Sequence, residues 1–227
     1  MNASHRFVVI AAVFVTCLIT ANIIAVKVVS IGGFLLPAAI FVFPLSYIFG
    51  DILTEVYGFH QARKVIWLGF ACNLVFVFFA WIGQMLPAAP LWEGQGAYES
   101  ILGYTPRLLA ASFLGYLAGE FVNSFVLAKM KIVTRGRWLW TRTIGSTVVG
   151  QGLDTTIFIL LAFVGTPVFT PIMILHHWLA KIIIEAVATP FTYAAVNFLK
   201  KKEDIDIYDY DTNFNPFLLR ERKAVGQ

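Results

Sequence analysis

Residues 65–86 read VIWLGFACNLVFVFFAWIGQML, an unbroken run without a single Asp, Glu, Lys or Arg. A helix rises about 1.5 Å per residue, so a run of this length reaches across the roughly 30 Å of hydrocarbon in a bilayer. Arg63 and Lys64 stand immediately before it and Pro87 immediately after it. Five further runs outward from this one are of similar length and mostly apolar: Phe7 to Val29, Phe34 to Glu55, Leu108 to Met130, Ile144 to Val164 and Ile172 to Leu199. The expected fold is therefore an all-α membrane protein, a bundle of six transmembrane helices. Pro37, Pro44 and Gly50 fall in the second run, where they remove a backbone donor or loosen the helix. That helix is expected to be broken, and Pro190 is expected to act likewise in the sixth.

Composition points the same way. The chain has 227 residues, 59% hydrophobic and 13% charged, with a mean hydropathy of +0.76, whereas soluble domains carry roughly a quarter charged residues. Residues 1–202 read as one transporter-like membrane domain and 203–227 as a cytoplasmic tail, whose Asp204, Asp206, Asp209 and Asp211 among tyrosines suggest a solvated extension. The net charge of +4 and the pI near 9.1 are not a nucleic-acid signature, because the basic residues are scattered in short loops between apolar runs. Cys17 and Cys72 lie inside apolar runs and read as small buried hydrophobes, with no disulfide and no metal. The first run is too long for a signal-peptide core and reads as a retained helix.

The basic residues also orient the bundle. Of the 17 Lys and Arg residues, 14 fall on one side of the six spans: Arg6, Arg63, Lys64, Lys129, Lys131, Arg135, Arg137, Arg142, Lys200, Lys201, Lys202, Arg220, Arg222 and Lys223. Cytoplasmic loops carry that excess, so both termini are expected inside. Lys27 and Arg107 lie near the outer ends, and Lys181 lies within the sixth span. The outer loop from Pro87 to Pro106 carries Trp92, Tyr98 and Tyr104, an aromatic set suited to the interface.

An ionisable side chain inside a bilayer is costly unless it meets a partner or a wet cavity, so each one is a functional candidate. Asp51 and Glu55 are four apart on the second span and share a face. The fourth span carries Ser112, Tyr116, Glu120 and Asn123, the fifth Thr147, Gln151, Asp154 and Thr155, and the sixth His177, Lys181 and Glu185. Counted at 1.5 Å per residue, Glu120, Asp154 and Glu185 lie roughly 15 to 20 Å deep. Three carboxylates, an ammonium and two amides at one depth suit a solute site of the kind carriers hold at the midplane. His176 and His177 are adjacent and face different sides of the helix, which disfavours a metal site.

The order and spacing of several short motifs resemble the queuosine precursor transporter family over nearly the whole chain. They are Thr20-Ala21-Asn22-Ile23 with Lys27, Phe43-Pro44-Leu45, and Gly50-Asp51-Ile52-Leu53-Thr54-Glu55-Val56-Tyr57-Gly58. Gly119-Glu120-Phe121-Val122-Asn123-Ser124, Arg142 with Ser146-Thr147, Gly150-Gln151, Asp154-Thr155 and Lys181 complete the set. The resemblance implies import of 7-deazaguanines, such as 7-cyano-7-deazaguanine and 7-aminomethyl-7-deazaguanine, across a bacterial inner membrane. The implied partners are that small molecule and the lipid bilayer, without a cofactor or nucleic acid, in a monomer or a homo-oligomer. On this reading Glu120 and Asp154 accept from the ring N1–H and 2-amino group, and Asn123, Gln151, Asn22 or Lys181 donates to the 6-carbonyl. Tyr47, Tyr116 or Phe158 would stack on the ring, and Glu185 would receive an aminomethyl cation. Asp51 and Glu55 belong to the same expected site.

Two other classes compete. A substrate-binding membrane subunit of an ATP-driven vitamin importer would also be a small multi-helix protein, but would need partner ATPases. An intramembrane enzyme would need a zinc motif, a serine elbow or a phosphate-binding loop, and the sequence has none of them.

Overall fold

A computed structural model describes residues 4–31, 34–103, 106–165 and 169–218. The chain order is α1 His5–Ile24, β1 Val28–Ile31, β2 Phe34–Pro37, a 3-10 turn Ala38–Phe41, α2 Phe43–Tyr57, α3 Phe59–Met85, α4 Gln95–Leu102, α5 Pro106–Val133, α6 Leu139–Phe163 and α7 Ile172–Glu203. Of the described helices, α1, α3, α5, α6 and α7 are long and apolar enough to cross a membrane.

The second expected span, Phe34 to Glu55, is not one helix. Its first residues pair with β1 in an antiparallel hairpin, Val28 opposite Pro37 and Ile31 opposite Phe34, and the Ala38 N–H closes back on the Lys27 carbonyl at 2.7 Å. α2 then has only 15 residues, about 22 Å of rise. Pro44 lies in its first turn, where the missing N–H has no intrahelical partner to lose. Gly50 does not break α2 either. A Cβ there would lie at ordinary contact distance, 3.4 Å from Glu120 Oε2 and 3.5 Å from the Phe14 ring, so side chains of α5 and α1 pack close to the α2 backbone at this position. α7 likewise runs unbroken through Pro190.

Helix ends alternate between two faces of the bundle. At one face Ser4 Oγ donates to Glu203 at 2.8 Å, joining the start of α1 to the end of α7. Gly58 alone turns α2 into α3 at φ +80°, a left-handed conformation that a side chain would strain. At the other face Arg107, at the start of α5, donates to the Leu161 and Val164 carbonyls at 2.6 and 2.5 Å, capping the end of α6. Trp92 and Tyr98 lie at this face too, with the Tyr98 hydroxyl on the Ala80 carbonyl at 2.9 Å; Tyr104 lies outside the described residues.

Apolar side chains turn outward and polar ones inward. Phe78, Phe79, Trp81, Ile183, Val187 and Phe191 are exposed, while Asp51, Glu55, Arg142, Gln151 and Glu185 are buried. Cys17 and Cys72 are free thiols. α5 and α6 pack along most of their length, and glycines permit the approach. A Cβ on Gly119 would meet the Asp154 Cβ at 2.5 Å, and one on Gly150 would meet Asn123 Cβ at 2.6 Å and the Gly119 carbonyl at 2.8 Å.

The segment after α7 packs back on the bundle, although Asp204, Asp206 and Asp211 stay exposed as expected. Asp209 is 2% exposed and caps α3 by accepting from the Phe59 N–H at 3.1 Å. Arg63 donates to the Asn213 and Asn215 carbonyls at 2.7 Å each, and Trp67 Nε1 to the Pro216 carbonyl at 2.8 Å. Phe214 lies between Phe59 and Phe125, with Lys129 Nζ 4.2 Å from its ring centre. These contacts strap the ends of α3 and α5 together. Arg220, Arg222 and Lys223 lie outside the described residues.

Gly150→Leu is expected to force α5 from α6 and cost about 3 kcal/mol. Its thermal unfolding in detergent should fall well below wild type; an unchanged midpoint would contradict the close approach.

Candidate functional site

The buried polar residues form two groups. The first lies within about one turn of the helix ends at the face where Ser4 meets Glu203. Glu55 Oε1 accepts from Arg142 Nη2 and Lys200 Nζ, both at 2.7 Å, with Lys131 Nζ 3.8 Å away. Glu55 is 0% exposed, Arg142 and Lys131 1%. Lys131 also donates at 2.6 Å each to the Glu55 carbonyl, Asp206 Oδ1 and the Ile207 carbonyl. Burial acts to raise the Asp206 carboxyl, but hydrogen bonds from Lys131 and Lys200 outweigh it and hold its pKa below the ordinary value.

Asp51 and Glu55 are therefore divided. Although one turn apart on α2, they belong to different groups, and Glu55 is committed to cations rather than turned toward the midplane. Lys131 and Lys200 read in the sequence only as topology charges, as did Arg142 apart from its place in a motif. Their positions at the very edge of apolar runs, level with Glu55, are the signal that could have found them.

The second group lies deeper, and α2, α5, α6 and α7 each supply part of it. Lys181 Nζ donates to Asp154 Oδ2 at 2.5 Å and to Gln151 Oε1 at 3.0 Å. Asp154 is nine residues from the end of α6 and Lys181 nine from the start of α7, about 14 Å. Their side chains are 21% and 11% exposed, so this ion pair is sheltered but reachable. Glu120 is buried on α5, with Oε2 against the Gly50 backbone. Asn123 Nδ2 donates to Asp51 Oδ1 at 3.0 Å. Glu185 is 0% exposed one turn beyond Lys181, and its two carboxylate oxygens make no hydrogen bond among the described residues. Lys181 thus takes Asp154, from another helix, in place of its own-helix neighbour.

Tyr47, on α2, is buried and within the electrostatic reach of Asp154, Glu120 and Glu185. Tyr116 is spent otherwise, its hydroxyl donating to the Ile66 carbonyl at 3.0 Å, and Phe158 meets Phe163 edge-on. Asn22 is half-buried in the last turn of α1. Among the described residues no three His, Cys, Asp or Glu side chains are arranged to hold a metal. The deep group offers something different: planar acceptors and donors at a common depth, partly open to a polar solute.

Residues 37–195 match the family described as "Putative vitamin uptake transporter". A Bacillus subtilis (strain 168) protein named "Probable queuosine precursor transporter" is 30% identical over 190 residues, covering 82% of each chain. The "Queuosine precursor transporter" of Escherichia coli (strain K12) is 26% identical over 166 residues, 73% of this chain and 71% of that one. No solved structure matches.

Glu55→Ala would leave Arg142 and Lys131 buried without their common anion. The expected loss is about 3 to 5 kcal/mol of stability, read as a lower denaturation midpoint in detergent; a wild-type midpoint would show that the network does not hold the helix ends.

Proposed function

The chain belongs to the vitamin uptake transporter family, that of the queuosine precursor transporters, and from that premise we propose that it imports 7-deazaguanine precursors of queuosine. A family of transporters gives a transporter and not an enzyme, in a multi-pass membrane protein. The cargo we assign is 7-cyano-7-deazaguanine or 7-aminomethyl-7-deazaguanine, carried by alternating access around the deep polar group.

One observation supports this most directly. Lys181 is positioned by Asp154 and Gln151 at 2.5 and 3.0 Å, opposite the buried carboxylate of Glu120 on a neighbouring helix. A 7-deazaguanine presents N1–H and the 2-amino group as adjacent donors and the 6-carbonyl as an acceptor. Glu120 accepts from the two donors, and Lys181 donates to the carbonyl. Asp154 and Gln151 fix the Lys181 ammonium, and Tyr47 supplies a flat face for the ring. The cationic arm of an aminomethyl substrate is drawn by the surplus of carboxylates.

Orientation follows from charge. The face where Ser4 meets Glu203 carries Arg63, Lys64, Lys131, Arg135, Arg137, Arg142 and Lys200, so we place it in the cytoplasm of a bacterial inner membrane. The hairpin with α2 then counts as the second of six crossings, and the segment from residue 203 onward belongs to the cytoplasmic end.

Purified protein in liposomes should take up radiolabelled 7-deazaguanine without any ATPase. Binding with no uptake would favour the subunit of an ATP-driven importer. Glu120→Gln and Asp154→Asn should each reduce uptake by roughly 10- to 150-fold, the equivalent of about 1.5 to 3 kcal/mol for a charge-assisted hydrogen bond, with near-normal expression. Wild-type rates in both would remove these residues from the site. Reporter fusions after Val29, Leu86 and Val164 should report the outside and those at both termini the inside; an external C-terminus would overturn the orientation.

A further inference from the structure

Two carboxylates in the deep group are left over by the substrate contacts above. Glu185 is 0% exposed, and neither Oε1 nor Oε2 has a hydrogen-bond partner among the described residues. Asp51 is 1% exposed; its Oδ1 accepts from Asn123, and its Oδ2 has no partner among the described residues. Thr155 Oγ1, 2% exposed on α6, is likewise unpaired. The one ammonium found at this depth among the described residues, Lys181, is held by Asp154 and Gln151.

The groups that share the space with Glu185 come from every helix packed around it. Asp51 and Tyr47 of α2 and Glu120 of α5 feel its charge, and Glu120 also feels Asp154 of α6 and Lys181 of α7. With every group ionised, four carboxylates would face one ammonium, a net charge of −3. An ionised carboxylate taken from water without a counter-charge or hydrogen bond costs several kcal/mol even after relaxation. Like charges sharing one site do not all ionise. Some counter-charge must enter, and it must fit where protein atoms already enclose Glu185. No group of three or more His, Cys, Asp or Glu side chains that could hold a metal ion occurs among the described residues. A proton needs only the carboxyl oxygen that receives it.

We propose that Glu185, with Asp51 facing it from α2, is a proton-binding site: the Glu185 carboxyl carries a proton in the substrate-free protein, and its movement is coupled to substrate entry. The coupling clause rests on the transport reading above; the protonation does not. Bond by bond the step is simple. A proton from external water becomes the Glu185 O–H, and the same bond breaks to return the proton to internal water, with nothing oxidised or reduced. α2 and α7 pack directly on each other. Loss of the proton sets two anions against each other across that interface, and its return removes the repulsion, so proton occupancy biases how tightly the two helices close.

Infrared difference spectroscopy of the full chain in liposomes without substrate tests the site. At neutral pH wild type should show the carbonyl stretch of a neutral carboxylic acid, and Glu185→Gln should lose it. Asp51→Asn removes the neighbouring anion, so the pH at which the band vanishes on alkaline titration should move down. A wild-type spectrum with no such band, or a band unaltered by either variant, overturns the proposal. So does a band abolished by sodium at constant pH. Coupling is read with a pH-sensitive dye inside the vesicles: 7-deazaguanine entry should acidify the lumen. Entry without acidification, or entry driven by a sodium gradient, overturns the coupling. If no deazaguanine moves, the substrate reading fails and the infrared band alone decides the proton site.

Discussion

A carboxylate as deeply enclosed as that of Glu55 has no water to turn to, and it can remain charged only if cations are brought to it. Arg142 comes from the start of α6, Lys200 from the end of α7, and Lys131 approaches from the end of α5. α2, which carries Glu55, is too short to be anchored by length alone. One anion thus fixes the ends of four helices at a common level, and the depth of everything farther along them follows. Taking the anion away would strand the cations, which is why a buried network of this kind is far costlier to break than its modest net contribution to stability suggests.

The deep group depends on that alignment and on a second constraint, the glycines between α5 and α6. Gly115 and Gly119 face Asp154, and Gly150 faces Asn123. A methyl group at any of these places would move the acidic side chains away from the interior. The closeness that sets Glu120 and Asn123 of α5 beside Asp154 and Gln151 of α6 therefore originates in residues that have no side chain at all. The bundle spends its small residues where its functional ones have to meet.

Much of this was readable beforehand, because the period of a helix turns sequence spacing into faces. The stripes of Glu120 with Asn123 and of Gln151 with Asp154 could be placed at one depth from residue counts alone, and all four lie in the deep group. The second span was misread. Val28 to Pro37 is apolar enough to extend a helical run, and hydropathy does not distinguish a strand from a helix; Gly32-Gly33 between two short apolar segments was the hairpin signal. Asp51 and Glu55 share a face of α2, yet spacing along one helix says nothing about which neighbour each meets. The same gap hid the pairing of Lys181 with Asp154 instead of Glu185. The tail was misjudged in part for a related reason: Asp204 and Asp211 are exposed, while Asp209 and Asp206 have partners, Phe59 and Lys131, that stand far away in sequence.

That separation has a temporal side. The N–H of Phe59 is capped by a residue 150 positions later, and Arg63 waits equally long for its carbonyls. Chains are made from the N-terminus at roughly 5 to 20 residues per second, so the first turn of α3 is synthesised several seconds before anything exists to satisfy it. Until then this end of the bundle stays raw, with an arginine and open helix donors still unsatisfied. Closing it must wait until residues 209–215 have been made, and a nascent protein stalled after α7 would display that unfinished surface to chaperones and proteases.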